Sequence, residues 1–239
     1  MRIQPNPVPM TPRPSPIKDK SGVFKKRVET IVKEESRLRN MFGERFFGSE
    51  EWQRFLNVPF SREQLANAPR FPWDNAYLNQ PCPFTQGERI RNTHMAFLGI
   101  PRVDGTPLTI PRLFELRGCV RQPKLYLPKH PRLHQEHFFR GETLQHRWYL
   151  SPLRAVPIFL QLPYGYYSSS ALEETQKLFL HYARTGRYPY QGATFTSNTN
   201  SAGQRVFVGV MGGQIFIHYD SYYSQTLSTE AALSNVPRR

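Results

Sequence analysis

The chain has 239 residues, enough for one large domain or two small ones with a real hydrophobic core. Its 32 basic and 18 acidic residues give a formal net charge of +14, and arginine outnumbers lysine by 24 to 8. No apolar run approaches the roughly 20 residues of a membrane helix, and two cysteines without a CxxC pair exclude both a disulfide scaffold and a zinc site built from cysteine alone.

The first residues lack the apolar centre of a secretory signal, so the expected location is cytoplasmic. Pro5, Pro7, Pro9, Pro12, Pro14 and Pro16 each fix φ and remove a backbone donor, which makes 1–20 an extended or disordered proline-rich tail. Residues 21–239 then read as one basic domain.

That domain opens with an amphipathic helix. Ser21 is the candidate cap, and Phe24, Val28, Ile31, Glu35, Leu38 and Phe42 recur at spacings of four and three. Glu35 is the one charged residue in this stripe. Lys25, Lys26, Arg27, Lys33, Arg37 and Arg39 occupy much of the rest of the surface. Ser49 reads as the cap of a short helix carrying Trp52, Phe55 and Leu56, and Ser61 with Gln64 as a capping box. Residues 70–95 are rich in turn formers and aromatics and read as an ordered irregular segment held by Phe71, Trp73, Tyr77 and Phe84.

Met95–Ile100 reads as a strand, Pro101–Gly105 as a turn, Thr109 as the start of a short helix and Lys124–Leu127 as a further strand. Ser151 followed by Pro152 has the cap-then-proline form of a helix start, and Ile158–Leu162 is the next strand candidate. Ser170 and Glu173 form a second capping box, opening a helix that ends at Gly186 and buries Leu172, Thr175, Phe179 and Tyr182. In QRVFVGVMGGQIFIHYD, strict alternation on both sides of Gly212-Gly213 predicts a β-hairpin. Both of its faces carry large apolar residues, so both need cover, and the helix over 171–185 is the natural cover for one. The pattern as a whole is α+β: a single compact domain with an antiparallel hairpin or sheet and several short helices.

The strongest functional signal is electrostatic. Arg112, Arg117, Arg121, Lys124, Lys129, Arg132, Arg140, Arg147 and Arg154 cluster within 112–154, interleaved with Tyr126, Phe138, Phe139, Trp148 and Tyr149. Such a set suits an acidic protein surface, and it also suits single-stranded nucleic acid, where arginine meets phosphate and aromatics stack on bases. His130, His134, His137 and His146, spaced H-x3-H-x2-H-x8-H, are the candidate metal ligands. Cys82 with His94 is a conceivable nucleophile–base pair, whereas Asp74, Glu88 and Asp104 fall among turns. The glycines of the hairpin lack the GxGxxG spacing of a nucleotide site, and no cofactor is expected.

Four stretches carry a resemblance as an ordered series: WDNAYLNQPCPFTQGERIRNTHMAFLGI at 73–100, DGTPLTIPRLFEL at 104–116, LQHRWYLSPLRAVP at 144–157 and GQRVFVGVMGGQIFIHYD at 203–220. Together they resemble an uncharacterised family of bacterial proteins from chlamydia-related and planctomycete-like lineages. The resemblance implies that about 70–230 folds as one unit and carries no activity or site residue with it.

These readings make a non-catalytic basic subunit of a larger protein assembly the leading expectation, anchored by its tail and positive surface. The alternatives are an RNA- or DNA-binding protein using 112–154, and a metal-dependent hydrolase or nuclease using the histidines of 130–146.

Overall fold

The computed structural model describes residues 21–116, 121–127, 132–157, 161–219 and 230–235. The predicted tail lies outside the described residues. The chain begins with helix α1 (Ser21–Phe42), a 3-10 turn (Gly43–Arg45) and strand β1 (Phe46–Phe47), followed by α2 (Ser49–Leu56), α3 (Arg62–Ala66), α4 (Asn75–Leu78) and α5 (Ile90–Thr93). The middle of the chain holds β2 (His94–Leu98), β3 (Arg102–Val103), β4 (Thr106–Pro107), α6 (Ile110–Phe114), β5 (Leu125–Tyr126), α7 (His137–Arg140), β6 (Trp148–Pro152) and β7 (Val156–Pro157). The last third holds β8 (Tyr166–Ser168), α8 (Ala171–Thr185), β9 (Gly192–Thr199), β10 (Arg205–Met211), β11 (Gln214–His218), β12 (Glu230–Ala231) and β13 (Leu233–Asn235).

The class is α+β, as the sequence pattern implies. Strands form a five-stranded sheet of order β1-β2-β6-β13-β8 and a six-stranded sheet of order β5-β11-β10-β9-β12-β7, with β3 and β4 as a separate hairpin. Both large sheets are mixed: β1 runs parallel to β2, and β5 parallel to β11, beside antiparallel neighbours. Helix α8 packs against β9, β10 and β11 and meets α2, α6 and α7. One large core cluster runs from Leu38 to Tyr219 and joins both sheets.

The predicted hairpin is β10–β11, paired Val208 to Ile217 and Val210 to Ile215. Gly212 and Gly213 both have positive φ, 57° and 72°, as a two-residue turn matched to strand twist requires. Val206, Val208, Val210, Ile215 and Ile217 belong to the main core beneath α8. On the other face Phe207 and Phe216 join Ala193 in a second cluster, and His218 stacks on Phe207 at 5.3 Å. Both faces are thus covered.

Gly209 pairs with Ala193 where the β9 backbone closes over it. A Cβ added there would sit 2.0 Å from the Gly192 carbonyl oxygen and 2.6 Å from the Ala193 Cα, both rigid backbone atoms. Gly209→Ala is therefore expected to cost about 3 kcal/mol in a denaturant titration, the upper end for overpacking, because strand separation is the only relief.

The capping boxes behave as read. Ser61 Oγ accepts from Gln64 N at 3.1 Å while Gln64 accepts from Ser61 N at 2.7 Å, and Ser170 and Glu173 exchange the same pair of bonds at 3.2 and 3.3 Å. Gly186 closes α8 at φ 74°. Two readings need correction. Ser151-Pro152 does not start a helix: WYLSP is the fully buried strand β6, paired antiparallel with β2, and Pro152 sits at its last position, where a missing N–H is tolerated. Ser49 is not a cap but the first residue of α2; Gly48 precedes it, and the missing side-chain acceptor comes from Glu35 of α1. Of the strand candidate at 158–162, residues 158–160 lie outside the described residues, and Gln161 and Leu162 are not in a strand.

Candidate functional site

The basic residues of 112–154 divide by what they touch. Arg121 donates to the Arg184 carbonyl at 3.0 Å, at the C-terminal end of α8 where cations are favoured, so it serves the helix end. Arg147 lies over the Tyr149 ring at 4.7 Å, donates to Tyr167 Oη at 2.9 Å and reaches Glu173 at 3.8 Å. Arg112 pairs with Glu115 at 3.5 Å. Lys124, Arg132, Arg140 and Arg154 are exposed, while Arg117 and Lys129 lie outside the described residues.

The interleaved aromatics are placed differently from a stacking platform. Trp148 is buried, stacked on Phe46 at 5.4 Å and tied through Nε1 to the Pro69 carbonyl at 2.9 Å. Phe138, Phe139 and Tyr149 are buried as well, and of the five only Tyr126 is exposed, at 47%.

Among the described residues the histidines do not converge on a metal site. His134, His137 and His146 are exposed, and among the described residues no group of three or more His, Cys, Asp or Glu side chains could hold a metal ion. His130 lies outside the described residues. Asp74 caps α4 by accepting from Tyr77 N at 2.7 Å, and Asp104 occupies a positive-φ turn position.

The Cys82–His94 pair is overturned by the histidine's own bonds. His94 is fully buried; its Nε2 accepts from Tyr166 Oη at 2.8 Å and its Nδ1 contacts the Ile90 carbonyl at 3.1 Å and Thr93 Oγ1 at 2.9 Å. Neither ring nitrogen remains for a thiol. Burial lowers the His94 pKa to about 3, so the ring is neutral. Nearby, Asn235 accepts from Trp73 Nε1 and donates to Tyr77 Oη, both at 2.7 Å, which pins β13 to α4 and the segment just before it. Cys82 is free and buried; Cys119 lies outside the described residues.

Glu173 is the carboxylate best suited to respond to pH. Burial raises its pKa from the ordinary 4.5 to about 7, opposed by hydrogen bonds from Tyr167 and Ser170 and by Arg147, and reinforced by Glu142. The folded state therefore keeps a proton that the unfolded chain loses between pH 4.5 and about 7, and this group's stabilisation, present at low pH, is lost as pH rises through that window. Glu173→Gln is expected to remove up to about 3 kcal/mol of this loss. Its melting temperature relative to the parent should rise between pH 5 and pH 8; an unchanged difference would contradict the assignment.

Two concave surfaces carry clusters of basic side chains. The first is a cleft of about 1060 Å³ lined by the Gly43–Arg45 turn, Cys82, Phe84, the Pro152–Pro157 segment and the end of α8 with Tyr188. The second is a notch of about 600 Å³ between α1 and residues 67–70. Its charged lining is Lys26, Arg27 and Arg70, with no acidic side chain. The adjoining first turns of α1 expose Lys25, Lys26 and Arg27, and leave Val23 74% and Val32 50% exposed. Only the second half of the predicted apolar stripe, Ile31, Glu35, Leu38 and Phe42, is buried.

Among the described residues no helix is long and apolar enough to cross a membrane. No protein-family model, no curated protein and no solved structure matches the chain.

Proposed function

We propose that this protein is a non-catalytic, basic component of a larger protein assembly, and that α1 together with the proline-rich residues before it forms the attachment to an acidic partner. The observation that carries this reading is the all-cationic notch beside the exposed start of α1. A helix N-terminus carries partial positive charge and is stabilised by acidic residues. The first turn of α1 has none, and three consecutive cations follow at 25–27. That choice works against the isolated helix and suits a helix whose first turns meet a negative surface. Exposed Val23 and Val32 add apolar area of the kind an interface covers.

Nucleic acid is the second reading, and the net charge of +14 favours it equally. Burial of Trp148, Tyr149, Phe138 and Phe139 withdraws four of the five aromatics that base stacking would use. Protein is therefore the preferred partner.

The test is the triple variant Lys25→Glu, Lys26→Glu, Arg27→Glu. It is expected to fold with unchanged or slightly raised helix stability, since acidic side chains suit that end of a helix. Its affinity for the native assembly should fall at least about tenfold, as expected where like charges face each other. Undiminished co-migration with the assembly would sink the proposal.

A further inference from the structure

We infer that the cleft between the Gly43–Arg45 turn and the Pro152–Pro157 segment is a binding site for a small organic monoanion, a carboxylate joined to an apolar body. This site is separate from the α1 surface and does not depend on the assembly reading. The cleft, about 1060 Å³, is of the size that holds a small ligand.

Arg45 is the recognition group. The tight turn after α1, with Gly43 at φ 58°, places it half-buried in the cleft wall. Its Nε donates to the Phe42 carbonyl at 3.2 Å, which leaves the Nη1/Nη2 edge of the guanidinium fork for a ligand. No described carboxylate lies within ion-pair distance of Arg45. Burial lowers its pKa, partly offset by Glu88. A half-buried guanidinium without a carboxylate partner is only partly hydrated, and a ligand carboxylate accepting two parallel bonds from its free edge supplies the missing acceptors.

The charge balance selects a monoanion. The charged lining consists of Arg45, Arg154 and Arg187 against Glu44 and Glu88, a net of +1. Arg187 already reaches Glu44 at 3.9 Å, and Glu88 accepts from Asn92 at 3.1 Å. Arg154, exposed on the lip, supplies the long-range attraction. A phosphate dianion would meet the two glutamates with too little opposing charge. Phe84, Leu153, Val156 and Tyr188 provide the apolar wall for the ligand body.

The experiment is calorimetric titration of the full chain with 4-phenylbutyrate, with 4-phenylbutyramide as its neutral isostere and phenyl phosphate as the dianion. The expected result is saturable one-to-one binding of the carboxylate, with the amide at least about tenfold weaker, as loss of a charge-assisted bidentate pair implies, and phenyl phosphate weaker because its second charge meets Glu44 and Glu88. Arg45→Met should weaken phenylbutyrate by about tenfold or more, and Arg154→Glu, an exposed change that leaves the fold intact, by a few-fold. The inference is overturned by absence of saturable binding, by equal affinity for the amide, or by tighter binding of phenyl phosphate. It is also overturned if Arg154→Glu, or a folded Arg45→Met, binds phenylbutyrate as the parent does.

Discussion

Lys177→Met is expected to destabilise the protein by about 3–5 kcal/mol, the range for removing one partner of a buried ion pair. Lys177 and Glu174 lie one turn apart on α8, 2.8 Å from each other, with side chains only 2% and 0% exposed. The ammonium also donates to the Pro152 carbonyl at 3.0 Å and lies 5.4 Å from the Tyr190 ring centre. Glu174 accepts from Tyr190 Oη at 2.5 Å, while its second oxygen has no hydrogen-bond partner among the described residues. Removing the cation would leave a carboxylate stranded in the core, and ionisation there is far more costly than in water. The double variant Lys177→Met, Glu174→Gln is expected to recover most of the loss, because both charges are gone and the amide still accepts from Tyr190. Denaturant titration of both variants provides the check. A loss for Lys177→Met below about 1 kcal/mol, as for a solvent-screened pair, would contradict this account.

Glu35→Ala is expected to cost about 2–4 kcal/mol, since it leaves buried donors without an acceptor. The Glu35 carboxylate accepts from Ser49 N at 3.1 Å and from Ser49 Oγ at 2.7 Å, standing in for the side chain that Gly48 lacks at the start of α2. Glycine leaves room for this carboxylate, because a Cβ at position 48 would come within 2.8 Å of both Glu35 Oε2 and the Phe46 ring and displace one of them. Burial raises the Glu35 pKa, opposed by the Ser49 bonds. Its neighbour Glu51 accepts from Gly48 N at 2.9 Å and pairs with Arg39 at 2.5 Å and Arg184 at 3.6 Å, joining α1, α2 and α8. Glu35→Gln retains one acceptor and should cost only about 1 kcal/mol. Equal losses for the two variants would show that the acceptor is not what matters.

Glu35 also marks how far the sequence could be read. Its place in an apolar stripe was visible; its partner, fourteen residues away beyond a turn, was not, because nothing local encodes the angle between α1 and α2. The same limit applies to α8. Its capping box, terminating glycine and the burial of Thr175 are local and were legible, whereas the burial of Glu174, Gln176 and Lys177 on the remaining sides depends on sheets that assemble from distant strands. Alternation around Gly-Gly revealed the hairpin because register there is set by adjacent residues. Strands β8, β12 and β13 are two or three residues long and become strands only through their neighbours, so no periodicity marked them. Pro152 misled because serine-proline opens helices as readily as it ends a strand.

The candidate site was less legible. Clustering in sequence suggested one basic surface over 112–154, yet Arg121 and Arg147 are bound to the fold and Trp148 is core. The cationic notch joins α1 to Arg70, and the cleft joins Arg45 to Arg154, pairings that only the tertiary structure makes.

The most direct test of the proposed role is the size and the 260/280 absorbance ratio of the protein isolated gently from its own cells at low salt. The account predicts a protein-only particle well above the 27.9 kDa of the chain, unchanged by nuclease and released from its partner by salt. A monomer of 27.9 kDa, or a particle that nuclease dismantles, would contradict it.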